Sequence, residues 1–223
     1  MKTCVVMPTY NEAKEIGRII KKVLAQGLEV VIIDDGSPDN TSQVAANNGA
    51  IVLKNQNNEG KGASLIKGFD YAMKNNFDTV ITMDGDGQHL AEDIPLFLQA
   101  AKCSDSAIFI GNRMLKTKSM PWLRLLTNKF MSWLISEIIK QEVPDSQCGF
   151  RLIKKELLKK LKLTTSRYET ESEILIDAAR LGFKIESVPI KTVYSGEKSR
   201  IKPFSDALRF IKFLVKELWT TIF

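Results

Sequence analysis

The sequence is poor in the residues that build disulfide frameworks, zinc sites and histidine-based catalytic centres. It has three cysteines, which are widely spaced and form no CxxC pair, and a single histidine, His89. Scattered cysteines in odd number argue against a disulfide framework or a zinc site and suit a reducing cytosol. A single histidine also excludes any site that needs two or more histidines. The chemistry must therefore come from other side chains.

Long apolar runs are also missing. The first one, Cys4–Met7, ends at Pro8, is too short for the core of a signal peptide and is followed by no cleavage site. Nowhere do about 18 to 20 uncharged apolar residues follow one another, so we expect no membrane-spanning helix. Neither a Walker motif nor a Gly-x-Gly-x-x-Gly fingerprint occurs. We expect a cytoplasmic protein that is soluble or lies on a membrane surface.

What is present fits one globular domain over residues 1–223. With 44% apolar and 26% charged residues, the chain has enough apolar side chains for a core and is not expected to be disordered. Six excess positive charges suit an anionic partner such as a nucleotide, a lipid phosphate or an acidic membrane, and are equally compatible with ordinary solubilising charge. The basic residues are not clustered with aromatic ones, which disfavours nucleic-acid binding.

Short apolar runs alternate with helical patterns in the first half of the chain. This alternation predicts an α/β fold, in which a mostly parallel, Rossmann-like sheet is flanked by helices. Ligands bind such sheets outside the carboxyl ends of the strands. The predicted strands are Thr3–Met7, Val30–Ile33, Ile51–Leu53 and Thr79–Met83, and the main predicted helices are about Glu12–Gln26 and Lys61–Asn75. In the second half of the chain, Val188–Ile190 is a further predicted strand.

Two amphipathic helices are predicted in the second half. Apolar residues recur at helical spacing in Met120–Lys140, which carries two tryptophans, and Asp206–Phe223 combines a basic stripe with a strongly apolar end. Helices of this composition lie in the interface of a membrane or pack their apolar faces on a sheet. The sequence leaves both alternatives open for each helix.

The sharpest local feature is Asp84-Gly85-Asp86, which follows an apolar strand. A glycine between two aspartates lets the backbone turn so that both carboxylates point to one ion. Mg²⁺ and Mn²⁺ prefer such carboxylates together with phosphate oxygens, and a metal held there would neutralise a diphosphate leaving group. Acidic turns are common, but the position at a strand end favours the metal site.

Two further loops follow predicted strands. Asp34 and Asp35 end the second strand, where they either form a solvated turn or place one carboxylate on a nucleoside. Asn58–Gly62 resembles a phosphate loop only loosely, and its glycines are expected to allow a tight turn into the next helix. A position of Lys61 near the nucleotide is the less favoured alternative.

Together these motifs, in their order along the chain, resemble family 2 glycosyltransferases. The series also includes Gly111–Arg113, and the segments Asp145–Arg151 and Tyr168–Glu171 resemble the branch that transfers mannose to dolichyl or polyprenyl phosphate. The resemblance covers nearly the whole chain. It implies a GT-A-type fold, with a nucleotide-sugar-binding half at residues 1–115 and an acceptor- and membrane-facing half at residues 116–223.

The resemblance also implies roles for individual residues. Those expected to bind the nucleotide sugar are Pro8, Tyr10, Glu12, Asp35, Asp84, Gly85, Asp86, Gln88, Arg113, Arg124 and Arg200. Three of them, Asp84, Asp86 and Gln88, are expected to hold Mg²⁺ or Mn²⁺. Asp86, Arg113 and Arg200 are the expected catalytic residues, since guanidinium groups can grip phosphate oxygens in pairs. Cys148 and His89 are interpreted as structural.

The implied reaction is a single in-line displacement that inverts the anomeric carbon. A hexose, mannose or glucose, would pass from a donor of the GDP-mannose or UDP-glucose class to a polyprenyl phosphate. The enzyme would be peripheral at the cytoplasmic face of a membrane, docked directly or through a membrane partner protein. The alternatives are a transferase acting on a saccharide or glycolipid hydroxyl, a sugar nucleotidyltransferase, and a nucleotide-binding module or membrane adaptor without enzymatic activity.

Overall fold

The computed structural model describes residues 1–115, 117, 120–191, 209–215 and 217. The strands are β1 (Thr3–Thr9), β2 (Glu29–Asp34), β3 (Ile51–Lys54), β4 (Thr79–Thr82), β5 (Ile108–Asn112), β6 (Arg151–Lys154) and β7 (Ile185–Pro189). The helices are α1 (Ile16–Leu24), α2 (Thr41–Asn47), α3 (Lys61–Lys74), α4 (Ile94–Cys103), α5 (Trp122–Ile139), α6 (Lys155–Leu158) and α7 (Thr170–Arg180). Residues 209–215 and 217 are also helical; they form the C-terminal helical segment.

The seven strands form one mixed sheet in the order β3-β2-β1-β4-β6-β5-β7. β1 pairs in parallel with β2 and β4, and β3 continues the parallel part beyond β2. β6 is antiparallel to both of its neighbours, whereas β5 and β7 are parallel to each other. The prediction of a mostly parallel α/β sheet is therefore confirmed, and β5 and the antiparallel β6 are additions to the predicted strands.

The parallel strands are apolar on both faces, because helices cover both sides of such a sheet. In β1 the run Cys4–Met7 is fully buried, and in β2 the run Val30–Ile33 is at most 1% exposed. Gly68 brings α3 against β1 so closely that a Cβ there would lie 2.3 Å from Val6 Cγ1. This packing leaves the polar strand ends as the open part of the sheet.

The first helix begins later than the sequence predicts. Residues of the loop after β1 are held by the loop after β2: the Asn11 amide donates to Ser37 Oγ and the Glu12 amide donates to Thr41 Oγ1. Asn11 also has a positive φ of 56°, which interrupts helical geometry. The predicted helix from Glu12 is therefore wrong by about one turn, and α1 starts at Ile16.

The C-terminal helical segment is attached to α7 by Arg180. Its guanidinium pairs with the carboxylate of Glu217 and donates to the Glu217 carbonyl at 2.6 Å. Among the residues that the structure describes, no helix has the length and apolar character needed to cross a membrane.

An unfavourable carboxylate lies beside this attachment. Asp177 on α7 is half-buried and faces Glu173 and Glu217, and these effects raise its pKa to about 6 against the partial compensation of Arg180. The Arg180 Nη1 atom lies 3.9 Å from Asp177 Oδ1, a long contact for an ion pair. The ionised form of Asp177 therefore costs stability at neutral pH.

Asp177→Asn is expected to raise the free energy of unfolding at about pH 8 by roughly 1–3 kcal/mol, because two pKa units correspond to about 3 kcal/mol. A raised pKa means that the folded state holds the proton more tightly than the unfolded chain. The cost is therefore absent below about pH 4, grows between about pH 4 and pH 6, and is fully present above that range. Urea unfolding at both pH values measures the difference.

Asp70→Asn is the matched control, because Asp70 is an exposed carboxylate on another helix, α3. It is expected to change stability by less than about 0.5 kcal/mol at either pH. An equal effect of Asp177→Asn at about pH 4 and pH 8 would contradict the assignment.

Candidate active site

The loops that follow β1, β2 and β4 open at one edge of the sheet. The strands run parallel and in register, with Thr9 opposite Asp34 and Val6 opposite Thr82. Pro8 near the end of β1 and Tyr10 in the first loop are partly exposed, whereas Glu12 in the same loop is buried. A Cβ at Gly85 would come 2.7 Å from Thr9 Cγ2, so the third loop packs tightly on the first.

Asp35 fixes the neighbouring loop. Its carboxylate accepts the amide N–H groups of Glu59 at 2.8 Å and Gly60 at 2.9 Å, and the side-chain amide of Asn55 at 2.9 Å. The side chain is 4% exposed. Contact of Asp35 with a nucleoside stays a prediction; the visible effect of its carboxylate is to hold the turn that leads into α3.

That turn delivers Lys61 to the centre of the site. Lys61 Nζ lies 2.5 Å from Asp84 Oδ1 and 2.9 Å from Glu171 Oε1, so one ammonium bridges the β4 loop and α7. Gly149 leaves the room for this cluster, since a Cβ there would lie within 3.0 Å of atoms from all three side chains. Lys61 thus contacts the loop after β4, and its position near the nucleotide stays a prediction.

The pair is ionised in spite of its burial. Burial opposes the charge of Lys61, but the two carboxylates outweigh it and raise the pKa of the ammonium. For Asp84, burial acts to raise the pKa and the positive charges, Lys61 foremost, bring it well below its usual range. The site therefore keeps a carboxylate and its internal counter-ion at any physiological pH.

Asp86 and Gln88 shape the rest of the β4 loop. Asp86 Oδ1 accepts the Gln88 amide N–H at 3.0 Å, and Gln88 Oε1 accepts a long hydrogen bond of 3.4 Å from Arg124 on α5. The described residues contain no cluster of three or more histidine, cysteine, aspartate or glutamate side chains suited to a metal. The two aspartates and the amide oxygen nevertheless fit a hard divalent cation that also takes phosphate oxygens.

His89 and Cys148 are buried and unreactive. Burial lowers the pKa of His89 to about 4 and raises the pKa of the Cys148 thiol to about 12. The neutral imidazole accepts the Asp84 amide N–H at Nδ1, over 3.2 Å, and its ring lies 5.2 Å from that of Phe150. His89 thus supports the loop that carries Asp84, as its structural interpretation predicts, and Cys148 Sγ lies 4.0 Å from His89 Nε2.

Arg113 is part of an internal ion pair. Its Nε and Nη2 atoms donate to the two carboxylate oxygens of Asp145 at 2.7 and 2.8 Å, and both residues are at most 5% exposed. The sequence predicts that Arg113 binds phosphate and gives no sign of its ion pair with Asp145. Contact with phosphate stays a prediction for Arg113, and Arg200 lies outside the described residues.

Helix α5 presents its polar side to the site. Arg124, Asn128 and Ser132 follow one another at four-residue spacing, so they form one stripe. Arg124 reaches Gln88 at one end, and Ser132 Oγ accepts the Ser146 amide N–H at 2.9 Å at the other. Between them, Asn128 is 6% exposed and its Nδ2 finds no hydrogen-bond partner among the described residues.

The opposite side of α5 is apolar and faces outward. Trp122 is 75% exposed, Trp133 is 58% exposed, and Leu123, Leu126 and Phe130 are exposed between them. This arrangement inverts the usual pattern, in which a helix buries its apolar stripe. We call these five residues the α5 apolar face. Packing on the sheet, one of the two alternatives for this helix, is therefore wrong for the α5 apolar face.

Comparison with known proteins fits this geometry. Residues 4–162 match Glycosyl transferase family 2. A UDP-N-acetylglucosamine–dolichyl-phosphate N-acetylglucosaminyltransferase of Methanococcus voltae is 32% identical over 213 residues, which are 85% of this chain and 85% of the relative. A polyprenol monophosphomannose synthase of Mycolicibacterium smegmatis is 27% identical over 85% of this chain and 76% of its own length.

The fold is that of solved glycosyltransferases. Glucosyl-3-phosphoglycerate synthase of Mycobacterium tuberculosis, crystallised with UDP, superposes with a TM-score of 0.79 over 97% of this chain and 79% of its own, at 20% identity. This likeness confirms the expected GT-A-type fold. The sequence match extends from β1 past β6 and includes the loops that carry Asp35, Asp84 and Asp86. The chain is therefore a glycosyltransferase and belongs to glycosyl transferase family 2.

Proposed function

We propose that this enzyme transfers a hexose, with inversion, from a nucleoside-diphosphate sugar to a polyprenyl or dolichyl phosphate. The observation that carries the proposal is the Arg124–Gln88 contact, which joins the acidic donor loop to a helix with an outward apolar face. Relatives named as acting on dolichyl phosphate or making polyprenol monophosphomannose support a lipid-phosphate acceptor. The donor is of the GDP-mannose or UDP-glucose class.

The donor diphosphate would lie at the carboxyl edge of β1, β2 and β4. Asp84, Asp86 and Gln88 would hold Mg²⁺ or Mn²⁺ there, and the mycobacterial enzyme of the same fold was crystallised with Mn²⁺ and UDP. The bound ion supplies Lewis-acid stabilisation of the departing diphosphate. On the first two loops, Pro8, Tyr10, Glu12 and Asp35 would contact the nucleoside.

The protein's own contribution is positioning and charge stabilisation. A lipid phosphate is already an anion at neutral pH, so its oxygen can attack the anomeric carbon without a strong general base. As that bond forms, the bond from the anomeric carbon to the diphosphate breaks, and the nucleoside diphosphate leaves with the electron pair. Arg113, Arg124 and Arg200 would stabilise the phosphate oxygens on either side of the reacting carbon.

The polar stripe of α5 would receive the acceptor phosphate. Arg124 provides a guanidinium beside the donor loop, and Asn128 offers a buried amide donor one turn further along. The α5 apolar face would lie in the membrane interface, because exposed tryptophan and phenylalanine side chains favour this location. The enzyme would thus work as a peripheral protein at the cytoplasmic face of a membrane, with or without a membrane partner.

Asp86→Asn is expected to lower sugar transfer roughly 100-fold or more, because the variant loses a charge beside the developing diphosphate. The assay follows lipid-extractable label after incubation with labelled nucleotide sugars, Mn²⁺ and polyprenyl phosphate. Asp105→Asn, at an exposed carboxylate in the loop before β5, is the control and should retain full activity.

The same assay separates the alternatives by product. Release of nucleoside diphosphate is expected, whereas release of pyrophosphate would indicate a nucleotidyltransferase. Label in a water-soluble saccharide and none in lipid with any donor would overturn the acceptor proposal. Unchanged transfer by Asp86→Asn would overturn the role of the acidic loop.

Trp122→Ser combined with Trp133→Ser is expected to weaken binding to vesicles of mixed zwitterionic and anionic lipids roughly tenfold or more, since two large side chains lose their burial in lipid. Co-sedimentation measures the change. Both side chains are more than half exposed in the protein, so the melting temperature should stay unchanged.

Leu96→Ser is the matched control, because Leu96 is a 43% exposed apolar residue on a different helix, α4. It is expected to leave vesicle binding intact. Equal binding by the double tryptophan variant and the unmodified protein would show that α5 is not the membrane contact.

A further inference from the structure

The Lys61 ammonium pairs with a carboxylate oxygen of Asp84 that a metal ion would also use. It lies 2.5 Å from Asp84 Oδ1, and a divalent ion of the Mg²⁺ type binds carboxylate oxygens at about 2.1 Å. The two cations cannot share that oxygen without strong repulsion. Metal binding at Asp84 therefore requires either that the ammonium withdraws or that Asp84 turns its other oxygen to the ion.

Lys61 has a second carboxylate with which it can form an ion pair. Glu171 Oε1 lies 2.9 Å from the same Nζ atom, at the start of α7, and its side chain is 10% exposed. Because Gly149 has no Cβ, the three charged groups can meet beside it. A lysine that shifts toward Glu171 therefore frees Asp84 and keeps a charge partner of its own.

The backbone around Lys61 is fixed, so only its side chain is available for this shift. The preceding amide, that of Gly60, is held by Asp35 at 2.9 Å. The following residue, Gly62, packs so closely on α7 that a Cβ there would clash with Thr170 Oγ1 and Ser166. The ammonium can thus pivot between two carboxylates that belong to different elements of the fold.

The charges of the cluster favour an order of binding. Asp84 and Glu171 carry two negative charges beside Lys61, and without the ammonium they would attract a divalent ion more strongly. The ammonium removes one of these charges and covers one oxygen. A bound nucleoside diphosphate adds negative charge and phosphate oxygen ligands. These compensate for the charge and the Asp84 oxygen that Lys61 withholds from the metal ion.

We propose that Lys61 is a positioning residue that acts as an internal competitor of the metal and makes divalent-metal binding depend on the bound nucleotide. The inference rests on the proposed function, since it takes Asp84 and Asp86 as the metal ligands. It assigns Lys61 a role beyond joining α3 to α7, because a purely structural bridge would not affect the metal affinity of the free enzyme.

The test measures Mn²⁺ binding with and without UDP or GDP. The electron paramagnetic resonance signal of the free ion reports how much Mn²⁺ is unbound. Without nucleotide, Lys61→Gln is expected to bind Mn²⁺ at least about tenfold more tightly than the unmodified protein, because one positive charge is lost beside the carboxylates of Asp84 and Glu171. With nucleotide, the difference should shrink to about threefold or less. Lys61→Arg keeps the charge and should stay close to the unmodified protein.

Glu171→Gln supplies an independent prediction of opposite sign. It removes the second carboxylate partner of the ammonium, so Lys61 should hold Asp84 more firmly and Mn²⁺ affinity without nucleotide should fall at least about threefold. The lost charge alone would lower Mn²⁺ affinity to the same extent with and without nucleotide, so a fall confined to the nucleotide-free protein supports competition by Lys61 and an equal fall in both states contradicts it. This variant decides the question even where Lys61→Gln fails to fold, which circular dichroism and thermal unfolding would reveal.

Two failures can be told apart. An unmodified protein that binds Mn²⁺ with nucleotide, next to a folded Lys61→Gln variant with unchanged affinity, would overturn the role of Lys61 and leave the proposed metal site intact. No Mn²⁺ binding with any nucleotide would overturn the metal site and this inference together.

Discussion

Parallel alignment of β1, β2 and β4 is the constraint on which the site depends. Each strand is apolar on both faces and therefore cannot carry polar chemistry along its length, so the polar groups collect where the strands end. Because all three run in the same direction, their loops share one edge. The Asn11–Ser37 and Glu12–Thr41 hydrogen bonds then tie the first loop to the second. The edge proposed to bind the sugar donor therefore results from the common direction of these strands.

The side proposed to receive the acceptor is built differently, from segments that are distant in sequence. α5 and the Asp145–Arg151 segment reach the β4 loop through side chains, such as Arg124 on Gln88, and through the antiparallel β6, which follows Gly149. Arg151 stabilises this region because its guanidinium donates to the carbonyl oxygens of Ser146, Cys148 and Glu171. A fully buried arginine thus replaces regular secondary structure as the support for the loop.

The donor edge could be predicted from the sequence because its signals are local. β-branched runs that stop at Asp34 or Asp84 reveal both a strand and its end, and the parallel direction follows from the helices between them. The partners of Arg113 and Lys61 could not be predicted in this way. Asp145 lies 32 residues from Arg113, and the pairing depends on where β6 inserts in the sheet. β6 itself has four residues and carries charges at both ends, so it gives almost no strand pattern.

The α5 apolar face also shows a limit of pattern reading, since periodicity reveals two sides of a helix and not which one is buried. If the α5 apolar face lies in the membrane interface, as proposed, it determines how far the reacting groups lie from the bilayer. A helix with its side chains is about 10 Å across, only a few ångströms more than the roughly 5–8 Å depth of the headgroup layer. With the tryptophans in the lipid interface, Arg124 would meet a phosphate at the level where a prenyl phosphate already carries it. The acceptor would then react without leaving the bilayer, and the cost of about 0.8 kcal/mol for each extracted methylene would not arise.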